Sequence, residues 1–282
     1  MLFNPRYAQL VQKALTVPIS KSLEPGPFHP DTYTLRSGMA FFSTKTGQFT
    51  YFSLQVGEPV WRGKDVLDFG GNVGNILQDP NCTIDEERYW CLDVVEDATE
   101  KGKAAYPKSH WVFYNRYCFA FNPHGIRELP LPDLGRKFDY IVAYSVFTNT
   151  TVTDMLQLES QLESILAPGG ALAFTFIDPY YFSSPGQNNI RWRLELETER
   201  GNISPAEMDD LTVRTRSANW FMLVNGPNLY LETEDIRPYK PEEEVSCYVY
   251  HTAEYMKTLF PHATILPPAN NEMQHCCVIR KS

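Results

Sequence analysis

The chain has 282 residues, of which 43% are hydrophobic and 21% charged, the balance of an ordinary globular protein able to bury a sizeable core in one large α/β domain or two small ones. A net charge of −9 speaks against a nucleic-acid substrate, because phosphate backbones are gripped by basic stripes that release counterions. Six cysteines without CxxC spacing or a neighbouring His-x-x-x-His give no reason to expect a zinc site; they lead us to expect a reduced, cytoplasmic setting, in which the sequons at Asn81, Asn149 and Asn202 carry no glycan. No segment near residue 1 combines basic residues, a long apolar stretch and a small-residue cleavage site, so no secretion signal is expected, and no apolar stretch reaches the roughly 20 residues needed to cross a membrane.

Residues 1–60 open with YAQLVQKALTV, a helix-compatible run that Pro18 ends, followed by a loop with Pro25, Pro27 and Pro30. This predicts an N-terminal helical cap over 1–60 ahead of a main domain over 61–282. From Asp65 the punctuation becomes regular, and DVLDFG, RYWCLDV, HWVFYN, FDYIVAYSVF and ALAFTFID read as five successive strands. Between the fourth and fifth, Met155, Leu158, Leu162, Ile165 and Leu166 share one helical face, and Pro168-Gly169-Gly170 is expected to stop that helix. The apolar runs are too continuous for a half-exposed sheet, which implies parallel strands covered on both sides. After Asp178 the rhythm breaks, and residues 179–250 are expected to form an insertion over the active edge of the sheet. A helix at YHTAEYMKTLF and two strands, HATILPP and MQHCCVIRK, close the chain. The fold class expected is α/β, with a seven-stranded, mostly parallel, doubly wound sheet.

The stretch VLDFGGNVG ends a strand in a glycine-rich turn. In an open parallel sheet, ligands sit at the carboxyl ends of the strands, where the first strand turns toward the first helix. Gly70 and Gly74 permit positive φ and a close backbone approach, and Asn72 is the non-glycine type that tolerates such dihedrals best. The dinucleotide fingerprint requires glycine at 72 and 75, where this chain has asparagine twice. Asp68, at the end of the strand, suits a cationic ligand and would repel a phosphate. Asp93 ends the next strand, at the separation one βαβ unit demands, where it can accept hydrogen bonds from ribose hydroxyls.

The pattern acid-x-Gly-x-(Gly/Asn)-x-Gly, with the spaced Asp93, resembles motif I of the class I S-adenosylmethionine-dependent methyltransferases. AYSVFTNT, APGGALAFTF and the closing segment are similar to small-molecule enzymes of that family, over most of residues 60 to 280. The resemblance implies a Rossmann-like methyltransferase fold and S-adenosylmethionine as cofactor. It implies that Tyr114-Asn115 borders the adenine, and that Tyr144, Ser145, Val146 and Phe147 lie under the methionine moiety. Where similar proteins often carry histidine, this chain has Asn149, which can orient a nucleophile but cannot act as a base near neutral pH.

Methyl transfer from a sulfonium is an in-line displacement, so proximity and a dry cavity do most of the work. The fifth strand is expected to deliver Asp178 as base or amine-binding group, with Tyr180 and Tyr181 facing the acceptor or the sulfonium. His251, taken to open the last helix, is the spare base, and His275 reads as structural. Arg191, Trp192, Arg193, Trp220 and Phe221 in the insertion could form a lid over an acidic, planar substrate, or pack inward while arginine reaches solvent. The sequence thus supports O- or N-methylation of a small metabolite. The alternatives are intramolecular cyclisation of the cofactor with release of methylthioadenosine, and binding without turnover.

Overall fold

The computed structural model describes residues 47–184, 187–216, 218–225, 229–232, 246–269 and 273–282, with only the backbone of 182–184, 187, 222–225, 229–232 and 246–247. The expected first helix and the proline-rich loop lie outside the described residues. One sheet of seven strands dominates: β1 (Val66–Phe69), β2 (Tyr89–Asp93), β3 (His110–Phe113), β4 (Phe138–Ala143), β5 (Leu166–Phe176), β11 (Thr264–Leu266) and β12 (His275–Arg280). Their spatial order is β11-β12-β5-β4-β1-β2-β3. The pairs from β3 across to β5 are parallel, and only β12 runs against its neighbours. The seven-stranded, mostly parallel sheet read from the sequence is present, and its order reverses between β1 and β4.

Side-chain alternation divides the core. Leu67 and Phe69 join Leu92, Ile141, Leu172 and Phe174 on one face, against helix α3 (Val152–Ser164) and helix α6 (Ala253–Leu259). Val66 joins Tyr89, Cys91, Val142 and Ala173 on the other, against helix α1 (Gln48–Val56) through Phe49, Phe52 and Val56. Period-two alternation puts Asp68 and Asp93 on this second face. Helix α2 (Glu96–Ala105) follows β2, and its Gly102 gives room to the Trp111 ring, which a Cβ would meet at 2.2 Å.

Three elements differ from expectation. After β1 the chain makes only a four-residue 3-10 turn, Asn75–Gln78, before Asp79 turns extended; Asp79 precedes Pro80, which disfavours helical dihedrals. Helix α3, capped by Thr151, ends at Ser164, so Leu166 belongs to β5 and not to the helical face. Pro168-Gly169-Gly170 instead carries the strand past the chain end, where Gly169 N–H donates to the Lys281 carbonyl. The last helix starts at Ala253, with Thr252 accepting from Tyr255 N–H, so Tyr250 and His251 close a strand, not open a helix.

The insertion has its own small core. After a short hairpin, β6 (Phe182–Ser184) and β7 (Gln187–Asn188), come helix α4 (Asn189–Glu199) and helix α5 (Pro205–Thr215). Ser204 and Glu207 cap α5 reciprocally, with Pro205 at its first turn. Strands β8 (Trp220–Asn225), β9 (Leu229–Glu232) and β10 (Ser246–His251) form an antiparallel sheet. Ile177, Ile190, Leu194, Leu211, Phe221 and Tyr250 pack together, and His251 N–H donates to the Ile177 carbonyl at 3.0 Å, tying the insertion to the end of β5.

Candidate functional site

The reversal of strand order opens a crevice at the carboxyl ends of β1 and β4, the place where such sheets hold ligands. Gly70, Asn72 and Gly74 adopt φ of 77°, 54° and 83°, so every second residue of the turn is left-handed, as the glycine and asparagine pattern led us to expect. Gly70 N–H donates to the Leu92 carbonyl at 2.8 Å, which pins the turn to the end of β2. A Cβ on Gly70 would lie 2.4 Å from Cγ2 of Val146, just beyond β4; the two loops are in contact where the glycine lacks a side chain.

Asp93 is the brace of this turn. Its Oδ2 accepts from Asn72 N–H at 2.7 Å and its Oδ1 from Val95 N–H at 2.8 Å. Burial raises its pKa while these backbone donors oppose the rise. Each carboxylate oxygen keeps a second lone pair, so a vicinal diol could still be accepted. Asp68 is placed differently from expectation. It is 1% exposed, lies under Gly71, and takes the Tyr89 hydroxyl on Oδ2 at 2.8 Å. Burial pushes its pKa up to about 7. Alternation along β1 turns it inward, and Asp68 supports the turn from below.

Beyond β4, Ser145 has φ of 58°, a conformation that costs a non-glycine residue energy and must be held by its surroundings. Its N–H donates to Thr175 Oγ1 at 2.7 Å, and its carbonyl accepts from Thr148 Oγ1 and Asn149 Nδ2, both at 2.9 Å. Asn149 therefore secures this turn and is not the cap of α3, which is Thr151. Two residues expected beneath a cofactor are core instead. Phe147 is fully buried edge-on against Phe174, and Tyr144 packs edge-on against Tyr51 and Phe52. Asn115 is exposed at the rim, where its Oδ1 accepts from Asn122 Nδ2. The sequence reading passed over Arg116, which is buried and reaches Asp154 at 2.5 Å, Gln157 and the Leu129 carbonyl; it anchors the loop after β3 onto α3.

At the end of β5, the Asp178 carboxylate binds main chain, with Oδ1 accepting from Tyr180 N–H and Oδ2 from Ala253 N–H, the first of α6, both at 2.8 Å. The Tyr180 hydroxyl donates to the Thr215 carbonyl, beside a groove of about 450 Å³ between α4 and α5. Tyr181 is half-buried with its ring edge-on to His275 at 4.9 Å. Asn189 Nδ2 donates to the Asp178 and Met273 carbonyls, and among the described residues buried Asn189 Oδ1 and His275 Nδ1 have no hydrogen-bond partner. Burial depresses His275 to about 4, against the opposing charge of Asp178. In the insertion, Phe221 is fully buried, and Arg193 is buried over the Tyr248 ring and paired with Glu197 at 2.8 Å. Arg191 pairs with Glu195 on the surface. Phe221 and Arg193 thus pack inward, while Arg191 lines the groove between α4 and α5.

His251 is fully buried, its ring parallel to those of Trp220 and Tyr255 and both nitrogens unpartnered. Burial lowers its pKa from 6.5 to about 3, which suits a neutral core imidazole and not a base. The unfolded chain takes up this proton first, so the contribution to stability is present above about pH 6.5 and is lost as pH falls toward 3. His251→Phe is expected to recover about 2 kcal/mol of the stability that the parent loses between pH 7 and pH 5. Urea unfolding of both proteins at the two pH values measures this, with the Asp68 contribution common to both; equal losses would refute it.

Seven strands in the order β3-β2-β1-β4-β5-β12-β11, with β12 alone antiparallel to its neighbours, make a sheet that matches the Rossmann-like methyltransferase fold. No family model and no curated protein matches the chain. Among solved structures it is similar to the glycopeptide N-methyltransferase MtfA complexed with S-adenosyl-L-homocysteine, at 11% identity over 86% of this chain and 92% of that one, with a TM-score of 0.48. It is similar to an S-adenosylmethionine-dependent methyltransferase from Clostridium acetobutylicum, at 12% identity, 84% and 91% coverage and a TM-score of 0.47. An amino pentose methyltransferase from Micromonospora echinaspora follows at 13% identity, 77% and 83% coverage and a TM-score of 0.42. Among the described residues no group of side chains could hold a metal ion, and no helix is long and apolar enough to cross a membrane.

Proposed function

We propose that the chain binds S-adenosylmethionine in the crevice between β1 and β4 and transfers its methyl group to oxygen or nitrogen of a small metabolite. The observation that carries this reading is Asp93, held by two backbone N–H groups directly beside the left-handed Gly70-Asn72-Gly74 turn. That pairing offers a diol acceptor next to backbone that a ligand can approach closely, and this suits the ribose of an adenosyl group. The bound cofactor supplies an electrophilic methyl on sulfonium. The chain's own residues would fix the ribose at Asp93, close the floor with Gly70 and Val146, and keep water from the reacting line.

The deciding experiment incubates the protein with S-adenosylmethionine and a fraction of small cell metabolites, then identifies the sulfur product by mass spectrometry. S-adenosylhomocysteine is the expected product; methylthioadenosine would replace transfer by cyclisation of the cofactor, and intact S-adenosylmethionine that stays bound would leave a binding protein.

A further inference from the structure

Of the four described non-glycine residues with positive φ, two lie in the neighbouring turns that follow β1 and β4: Asn72, at 54°, and Ser145, at 58°. Asn72 is held by Asp93. Ser145 is held by a line of hydrogen bonds that leaves the crevice and crosses the fold. Ser145 N–H donates to Thr175 Oγ1 at 2.7 Å, the Thr175 hydroxyl donates to Gln274 Oε1 at 2.6 Å, and the Gln274 carbonyl accepts the Tyr51 hydroxyl at 2.9 Å. Thr175 and Tyr51 are fully buried and Gln274 is 5% exposed, so none of the three can exchange its partner for water. Thr175 is a polar residue within ALAFTFI, and Gln274 stands directly before the apolar strand β12; neither polarity is needed for the core. The residue after Ser145 is Val146, whose Cγ2 lies against Gly70.

We infer that Thr175, Gln274 and Tyr51 are positioning residues for the cofactor turn, a relay that locks Ser145 left-handed and thereby presses Val146 onto Gly70. The hydroxyl of Thr175 suits this place because one oxygen must accept from Ser145 and donate to Gln274 at once. Valine keeps the shape and does neither. The relay joins four segments, α1, β12, β5 and the turn after β4, so the register of helix α1 is communicated to the floor of the crevice. Its functional meaning rests on the S-adenosylmethionine reading above; its mechanical meaning does not.

Both parts are separable by experiment on the full chain. In the cofactor-free protein, Thr175→Val is expected to strip the Ser145 amide of hydrogen-exchange protection and to shift the amide resonances of Gly70, Gly71 and Asn72, with Thr175→Ser restoring all of them. Tyr51→Phe, at the far end, is expected to move the same signals by less, and it carries the test if Thr175→Val does not fold. Unmoved Gly70–Asn72 resonances would overturn the relay. By calorimetry, Thr175→Val is expected to weaken S-adenosylmethionine binding roughly tenfold, as for one buried hydrogen bond. Val146→Ala in the same background should add little, because both act on one contact. A lower melting temperature with unchanged affinity, or additive losses, would make the relay mere scaffolding. A parent protein that binds no S-adenosylmethionine would instead sink the proposed function, while the resonance test still decides the relay.

Discussion

Gly70→Val is expected to reduce S-adenosylmethionine affinity by at least about a hundredfold, equivalent to ~2.7 kcal/mol, while the circular dichroism spectrum stays that of a folded α/β protein. Two independent costs converge at this position. Gly70 has φ of 77°, where a β-branched residue is a genuine outlier, and the left-handed conformation alone costs roughly 1–2 kcal/mol. A Cβ would also stand 2.4 Å from Val146 Cγ2. Val146 is itself β-branched and stiff at χ1, so the overlap is relieved by moving a loop more readily than by turning a side chain. The expected casualty is the gap between the ends of β1 and β4, not the sheet. Calorimetric titration measures it, and parental affinity in the variant would refute the close approach.

Asp93→Ala is expected to do comparable damage by another route. The carboxylate holds the Asn72 and Val95 N–H groups; its loss leaves two backbone donors without a partner and removes the acceptor proposed for the ribose. Hydrogen bonds to a charged group contribute about 1.5–3 kcal/mol each, so a loss of a hundredfold or more in affinity is expected. Asp93→Asn should lie between, since an amide keeps one acceptor but turns its NH2 toward a donor. Comparing S-adenosylmethionine with its 2′-deoxyribose analogue separates the roles. If Asp93 binds the diol, the variant loses discrimination between the two; if discrimination survives, the ribose assignment is wrong and Asp93 serves the turn alone.

The sheet was legible in the sequence because its signals are local. Apolar runs such as FDYIVAYSVF and ALAFTFID announce strands buried on both sides, and Gly70, Asn72 and Gly74 announce a left-handed turn. Asp93 was legible for the same reason, as an acid one βαβ unit after a glycine turn. Side-chain direction at strand ends was harder to read. Asp68 and Phe147 look like ligand contacts by position, yet alternation and the packing of α3 and α1 turn them into the interior. Asp178 and His251 were hard to read for a third reason: their partners, Ala253 N–H at the start of α6 and the Ile177 carbonyl just after β5, lie far away in the chain. Long-range pairing carries no local pattern. The one available clue to the relay was a misplaced polarity, Thr175 in an apolar strand.

The four-residue 3-10 turn after β1 has an electrostatic consequence. A long α-helix starting there would bring a macrodipole whose positive end faces the crevice and attracts phosphate. A single turn has almost no aligned peptides to sum, and the N–H groups of Gly74 and Asn75 are already spent on the Gly71 carbonyl. The acceptor beside this turn is the Asp93 carboxylate, which already holds the Asn72 N–H, at the place where pyrophosphate-binding folds offer a helix N-terminus. A phosphate tail would therefore find no helix N-terminus at this turn to bind.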